Sequence, residues 1–519
     1  MFSGIKHFFR LFTIARTLAR YNAMFPLDVI APSPLLHRGI YVLTLFSRRS
    51  GDLDKSPGQR LTQALESLGP SFIKFGQILA TRPDLVGEDV SNELTLLQDR
   101  LPAFPSDQAR QIIEAELEAP IEELFSTFTT DAVAAASIAQ VHKATTHDGQ
   151  EVAVKILRPN IEEAFARDIA TFRWVAEILE KRVPSLRRLR PVDVVDAFAD
   201  MVRQEMNLQH EAAAGSQLRE NTANDPGFRV PFIVWNRTSK RVLTTEWIDG
   251  IPINKRDELV AAGHDMAALG TGVVRNLLLQ VMRDGFFHAD LHQGNLFIDA
   301  DSNIVAVDFG IMGRLDKRSR RYLAGIMRGF HTGDYRRIAE IHFEAGYVPR
   351  HKDVGEFEQA LRAIGEPVAG TPLQEVSFGR MLAQLFEVTE SFEMQTQPHL
   401  LLLQKSMAMV EGLSVSLNPD INMWDVSPPI IRDWMEANMG PIALLQEGLD
   451  SAIKLFRYLP LIAEEAEQQV KSMTQDGIRL HPDTTNILSR RQGRWQKAQT
   501  VILGIIAVLL AIFMFSDLI

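Results

Sequence analysis

The sequence predicts an α+β fold, a small sheet lobe followed by a larger helical lobe, on three observations. Two short strand-like runs flank a turn in the first third of the chain. Apolar residues at helical spacing dominate before and after them. Later, a single pair of short strand-like runs breaks the helical pattern. From about 54 to 125, Leu61, Leu65, Leu68, Phe72 and Phe75 recur at helical spacing, and Pro83, Pro102 and Pro105 punctuate the segment. Ser137 to Ala144 then reads as a strand, His147-Asp148-Gly149 as a turn and Glu151 to Leu157 as the second strand of a hairpin. A helical region from about 161 to 223 follows, interrupted near Pro184 and Pro191. Val230 to Trp235 and Arg241 to Trp247 read as two more strands leading into Asp249-Gly250. The pattern is then mainly helical to about 475, except for the strand pair Asn295 to Ile298 and Ile304 to Val307. The expected division is a helical extension over 1–125, a sheet lobe over 126–250, a helical lobe over 251–480, a basic linker over 481–497 and a membrane anchor over 498–516.

Composition bounds the function. The 519 residues are 46% hydrophobic, enough for about three units around a large core, which excludes disorder for the bulk of the chain. Fifty-five Lys plus Arg against 65 Asp plus Glu leave a net charge of −10, which argues against a dedicated nucleic-acid binder. With no cysteine there is no disulfide framework, thiolate zinc site, iron–sulfur cluster or cysteine nucleophile, and a reducing compartment fits.

Both ends bear on location. Ala498 to Ser516 carries no charge, and its 19 residues, at about 1.5 Å each, reach nearly across a ~30 Å hydrocarbon core. Arg490, Arg491, Arg494, Trp495 and Lys497 precede it, so the positive-inside rule predicts one C-terminal span with the folded body in the cytoplasm. The first 25 residues mix Phe, Leu and Ile with Lys6, Arg10, Arg16 and Arg20, and no cleaved export signal is read there. Such a basic amphipathic helix either lies in a membrane interface or packs one apolar face on the body.

The strongest chemical signal is His288-Ala289-Asp290-Leu291-His292-Gln293-Gly294-Asn295 followed by Val307-Asp308-Phe309-Gly310. Protein kinases use H-R-D-L-x-x-x-N and D-F-G, and in both patterns Asn follows the first Asp by five residues. Phosphoryl transfer needs positioning and charge neutralisation. Asp290 is therefore the candidate catalytic base, and Asn295 and Asp308 are the candidate ligands of Mg²⁺. Alone, Asp308-Phe309-Gly310 would read as a strand-end turn; in this order it reads as chemistry. Val152-Ala153-Val154-Lys155 matches the strand whose Lys contacts the α- and β-phosphates and pairs with a helix Glu. Where a kinase carries a glycine-rich loop, this chain has Ala134-Ala135-Ala136-Ser137-Ile138-Ala139-Gln140. Each alanine Cβ occupies the approach a phosphate would use, so ATP or ADP should bind with altered phosphate placement. A plain helix-forming alanine run is the other reading of that stretch.

Here the residues carry a resemblance. Lys74-Phe75-Gly76-Gln77 is similar to the K-x-G-Q motif of the UbiB family of atypical kinase-like proteins. The alanine loop, Lys155, the H-x-D-x-H-x-G-N run and the D-F-G follow in that family's order, and Leu417-Asn418-Pro419-Asp420 resembles another of its segments. The resemblance spans roughly residues 20 to 475 and implies a bilobal protein-kinase-like fold with an N-terminal helical extension over the active cleft. It also implies that Lys74 pairs with Glu205 in the pocket, and that Glu211, with Glu177 as the fallback, pairs with Lys155. Asn207 departs from the E-x-D pattern and cannot supply that carboxylate. The loop and strand residues Ala134 to Gln140, Val141 and His142, together with Glu246 and Ile248 between the lobes, are the implied nucleotide contacts.

The family implies three readings: a membrane-anchored Mg²⁺-dependent ATPase supporting ubiquinone biosynthesis, a true phosphotransferase, or a nucleotide-gated scaffold. His292 resembles the small-molecule kinases of the aminoglycoside and choline type and gives a small hydroxyl acceptor weight. The implied partners are the bilayer, polyprenyl quinone precursors and other ubiquinone-biosynthesis enzymes, with no nucleic acid. Apolar faces on the N-terminal helices serve a homodimer or core packing equally well.

Overall fold

A computed structural model of the chain describes residues 2–23, 55–80, 90, 93–94, 97, 101–182, 191–369, 388, 391–394, 397–421 and 423–440. The chain divides into two compact units, Met1–Met435 and Glu436–Ile519, and the candidate site lies within the first. The expected interruption at Pro184, the linker at 481–497 and the apolar segment 498–516 lie outside the described residues.

The N-terminal segment forms α1 (Phe2–Arg20), α2 (Pro57–Leu68) and α3 (Pro70–Ala80). Ser56 caps α2 through a capping box with Gln59, and Gly69 at φ +102° separates α2 from α3, so the helical periodicity over 61–75 belongs to two helices. Of the two readings of the N-terminus, the structure supports packing on the body. Arg10 donates to both oxygens of the buried Asp168, at 2.7 and 2.9 Å, its guanidinium lies over Phe72, and Ile14, Leu18 and Ala23 pack into the cluster of Leu61, Leu65 and Phe72.

Next come α4 (Ser106–Leu117), then β1 (Thr127–Phe128), β2 (Ala134–Ala135), β3 (Ala139–Thr145) and β4 (Glu151–Leu157). The helical region resolves into α5 (Ile161–Arg182), α6 (Pro191–Glu205) and α7 (Leu208–Asn221). The break between α6 and α7 went unpredicted; Asn207 there takes extended dihedrals and caps α7 by accepting from the Gln209 amide. After β5 (Phe228–Arg229), β6 (Val242–Glu246) completes a sheet of order β1-β3-β4-β6, with β2 pairing β3.

One expected strand is corrected. Val230 to Trp235 does not form a continuous strand: Pro231 has no amide hydrogen to donate, and the run instead makes a single bridge, Ile233 to Thr245, before a 3₁₀ turn at Trp235–Arg237. The two faces of the sheet are covered differently. Ala144, Val152, Val154 and Ile156 pack on Ala109 and Ile113 of α4, while Leu157 and Leu243 pack on Phe165, Phe198 and Leu208 of α5 to α7. Each buried Val, Leu, Ile or Phe among them contributes about 1.5–3 kcal/mol of burial energy.

The second lobe contains β7 (Ile251–Pro252), α8 (Arg256–Ala261), α9 (Met266–Leu279), β8 (Phe286–His288), β9 (Leu296–Ile298), β10 (Ile304–Ala306) and β11 (Met312–Arg314). Helices α10 (Lys317–Thr332), α11 (Tyr335–Ala345), α12 (Val354–Ala369), α13 (Pro398–Leu417) and α14 (Met423–Met439) follow. The predicted strand pair is β9 with β10, antiparallel, within a small sheet of order β5-β10-β9-β7. Strands β5, β7, β8 and β11 are two or three residues long, too short to leave a period in the sequence. Helix α13 is long and apolar enough to cross a membrane by composition. Its Leu403, Met407, Val410, Leu413 and Leu417 nevertheless pack with Val273, Val274 and Leu277 of α9 in the main core.

Candidate active site

Strand β4 presents Lys155 opposite Val141 of β3, and the pleat puts both on one face of the sheet. Lys155 Nζ donates to Glu211 Oε1 at 2.7 Å and Oε2 at 3.0 Å, and to Asp308 Oδ2 at 3.0 Å. Lys155 thus meets Glu211 in the first turn of α7, whereas Glu177 pairs with Arg173 on the half-exposed face of α5. Burial opposes the Lys155 charge, but the carboxylates of Asp308 and Glu211 outweigh it and raise its pKa above the ordinary lysine value. Burial pushes Glu211 up to about 6, against the pull of the Lys155 ammonium. Burial also acts to raise Asp308; the Lys155 charge and hydrogen bond outweigh it, and the carboxyl ends well below its usual range.

Local backbone chemistry sets the D-F-G turn. Asp308 sits at φ +64°, a left-handed conformation that Asp tolerates because its own Oδ1 accepts the Gly310 amide at 3.1 Å. Phe309 is buried in the second lobe, and its amide points at Glu211 Oε1 at 3.4 Å. The preceding loop is closed by its own side chains: His288 Nδ1 accepts the Asp290 amide at 3.1 Å, and Asn295 Nδ2 donates to the Asp290 carbonyl at 3.1 Å. Gln280 Oε1 in turn accepts the His288 amide at 3.0 Å. Burial holds His288 below its ordinary pKa despite the nearby carboxylates of Asp308 and Asp290, so it is neutral at pH 7.

The donor set fits a hard divalent cation. Mg²⁺ takes one or two protein oxygens plus phosphate and water. Asp308 is held ionised, and Asn295, tied through its Nδ2, keeps its amide oxygen as an acceptor. Bound there, Mg²⁺ would neutralise charge on the β- and γ-phosphates.

From the N-terminal extension, Lys74 of α3 pairs with Glu205 at the end of α6 at 2.5 Å, with both side chains largely buried. The Lys74 charge also adds, as the smallest of these influences, to holding the Asp308 carboxyl low. Phe75 wedges between Phe172 and Phe198, and Gly76 has no room for a Cβ, which would fall 2.4 Å from Leu97 and 2.7 Å from Leu65. The glycine permits the helix packing that holds Lys74 in place.

The alanine stretch is a hairpin, neither an open loop nor a helix. Ala134 and Ala135 pair with Val141 and Gln140, and the Ala136 amide donates to the Ala139 carbonyl. Arg158 clamps it, donating twice to the Ala136 carbonyl and once to Leu101 of the extension. Ser137 and Ile138 at the tip are buried, Ile138 within the core beside Leu157.

Two expected nucleotide contacts are corrected by the register of β3. Gln140 and His142 are fully buried on the face opposite Lys155. Gln140 Oε1 accepts the Phe104 amide at 2.8 Å, and its amide nitrogen lies 2.8 Å from His142 Nε2, so these side chains fasten the extension to the sheet. At Glu246 the carboxylate accepts from Arg229 at 2.8 Å and from the Phe232 amide at 3.3 Å, so its side chain is structural. Trp247 donates its amide to Glu151, and Ile248 follows in the open stretch between the lobes.

One residue at the site was missed. Lys405 of α13 reaches Asp290, its Nζ 3.2 Å from Oδ1. The sequence does hold a signal, since Lys405 is the one charged side chain between Pro398 and Val410. Nothing local says what it faces.

Residues 96–342 match the family model of the ABC1 atypical kinase-like domain, and residues 361–422 match that of the UbiB helical domain. A relative from Marinobacter nauticus, named "Probable protein kinase UbiB", is 43% identical over 472 residues, covering 89% of this chain and 86% of its own. The chain belongs to the UbiB family of atypical kinase-like proteins. Likewise named UbiB relatives from Xylella fastidiosa and Pseudomonas putida are 39% identical over 92% of this chain and 88% of theirs, and 37% identical over 94% and 90%. The Rv3197–erythromycin complex from Mycobacterium tuberculosis is similar in structure, with a TM-score of 0.51 and 26% identity over 72% of this chain and 95% of that one. The UbiB chain thus has the bilobal kinase-like fold, and its helical domain is the one that contributes Lys405.

Proposed function

We propose that this chain is a membrane-anchored, Mg²⁺-dependent ATPase of kinase-like fold that supports ubiquinone biosynthesis by making polyprenylated intermediates accessible to other enzymes of the pathway. The observation that carries the reading is the position of Lys74. A largely buried pair, Lys74 of the N-terminal extension with Glu205, stands within electrostatic reach of Asp308, which supports an extension that covers the cleft. A site in which Lys155 holds both Glu211 and Asp308, combined with an extension over the cleft, favours water as the acceptor.

In this reading Lys155 contacts the α- and β-phosphates, and Asp308 and Asn295 hold the metal. Asp290 orients the attacking water, and adenine bonds to the backbone at Glu246 and Ile248. The anchor is the charge-free segment 498–516. The test is phosphate release by the full chain with and without vesicles carrying a polyprenyl quinone precursor, beside Asp290→Asn and a screen for labelled phospho-products. Lipid-stimulated release that Asp290→Asn abolishes, with no labelled acceptor, is expected. A labelled protein or small-molecule acceptor would establish the phosphotransferase reading instead, and nucleotide binding without turnover would establish a scaffold.

A further inference from the structure

The charge inventory around Asp290 raises a question that the kinase-like motifs leave unanswered. Phosphoryl transfer spreads negative charge over the equatorial oxygens of the leaving phosphoryl group, and cations positioned there stabilise the transition state. Lys155 is engaged with Glu211 and Asp308, and Lys74 with Glu205. Within the loop itself, His292 Nδ1 accepts the Gly294 amide at 3.0 Å, so its proton is on Nε2, 3.8 Å from Asp290 Oδ2. That nitrogen stands beyond direct hydrogen-bond range. Among the described residues, the cation in contact with the Asp290 carboxylate is Lys405, 3.2 Å away.

We infer that Lys405, supplied by α13 of the helical domain, binds the transferable phosphate and so makes the site respond to the difference between ATP and ADP. The inference rests on the reading of Asp290 as the group that orients the nucleophile. The attacking oxygen then lies about 2.6–3.2 Å from Asp290, and the phosphorus about 3–3.5 Å beyond it. A lysine Nζ already 3.2 Å from the same carboxylate, on a flexible four-carbon stem, reaches phosphate oxygens at that position by a rotamer change. The burial pattern suits this role. Leu403 and Met407 on either side of Lys405 are buried and fix the helix, while the Lys405 side chain stays 42% exposed and free to turn from Asp290 to phosphate. Asp290 holds the ammonium in this structure; with ATP bound the γ-phosphate would compete for it, tying α13 to the nucleotide state.

The test compares full-length wild type, Lys405→Ala and Lys405→Arg with Mg²⁺-ATP and Mg²⁺-ADP, measuring both affinities and the phosphate-release rate across pH. Lys405→Ala should lower turnover about 10²-fold. It should weaken ATP about tenfold while leaving ADP within twofold, a loss of about 1.4 kcal/mol in discrimination. Lys405→Arg should recover most of both, since a guanidinium also binds phosphate. Equal loss of ATP and ADP affinity overturns the inference, because a structural lysine would act on both. So does an unchanged ATP-to-ADP ratio with a shifted acid limb of the rate profile, which would make Lys405 a positioning residue for Asp290. In both cases the ATPase reading stands; failure of the wild type to bind either nucleotide removes that reading and the inference together.

Discussion

Gly215 offers a direct way to test whether the D-F-G turn and helix α7 act as one unit. A Cβ at Gly215 would lie 2.6 Å from Phe309 Cδ2 and 3.0 Å from Cε2, where ordinary contact begins near 3.4 Å, so Gly215→Ala demands a displacement of about 0.8 Å. Phe309 is 2% exposed and packs edge-on to His288, so the ring has little room to move. If it yields, Asp308 moves with it; if α7 yields, Glu211 moves off Lys155. Either way the three-charge contact loosens. Overpacking of this kind costs about 1–3 kcal/mol of stability. A catalytic displacement approaching 1 Å costs up to about 10²-fold in rate. The assays are thermal unfolding and phosphate release with Mg²⁺-ATP. Adding Phe309→Leu, which shortens the clashing side chain, should return part of the turnover lost in Gly215→Ala, a non-additivity that marks contact between the two sites. Wild-type turnover and melting temperature in the single variant would refute the coupling, as would strict additivity in the double.

Other outcomes follow from the same geometry. Because Glu211 titrates near 6, nucleotide affinity should fall as pH drops through that value and its protonation releases Lys155, and Glu211→Gln should abolish this dependence; an acid limb that survives in Glu211→Gln belongs to another group. The stability term has its own sign: the folded chain holds the Glu211 proton more tightly than the unfolded chain does, so this contribution is present below about 4.5 and declines as pH rises to about 6. Gln140→Leu should destabilise the chain by about 1–3 kcal/mol through the unpaired Phe104 amide and carbonyl, yet leave ADP affinity within twofold; a large loss of ADP affinity would return Gln140 to the nucleotide site. Deleting 498–519 should release the protein from membranes with nucleotide binding intact, and continued membrane association would assign the anchor to another segment.

The residues that carry chemistry were legible where spacing carries a fixed backbone requirement. Asn295 follows Asp290 by five residues because that is the length of the loop its amide closes, and Asp308 precedes Gly310 by two because its carboxylate caps that turn. Lys155 could be read from a seven-residue strand whose burial alternates from Glu151 to Ile156. The same alternation, followed one step further, separates Gln140 and His142 from Lys155, but only once the β3–β4 register is known. Asn207 was legible as a departure from a pattern; its work as a helix cap needed the break between α6 and α7.

By itself, then, the sequence picked out the candidate side chains, their order, and the strand or turn that holds each. Only the tertiary structure decided which of them meet. Lys155 and Asp308 are 153 residues apart in the chain, and Lys405 and Asp290 are 115 apart. No period or spacing reports such contacts, because they arise from the packing of whole helices and sheets, and in that packing the decisive partner is wherever the fold brings the backbone back. For Lys74 and Lys405 the reason is the same: each rides on a helix fixed by its apolar face, and the direction of the lysine follows from where that face is buried.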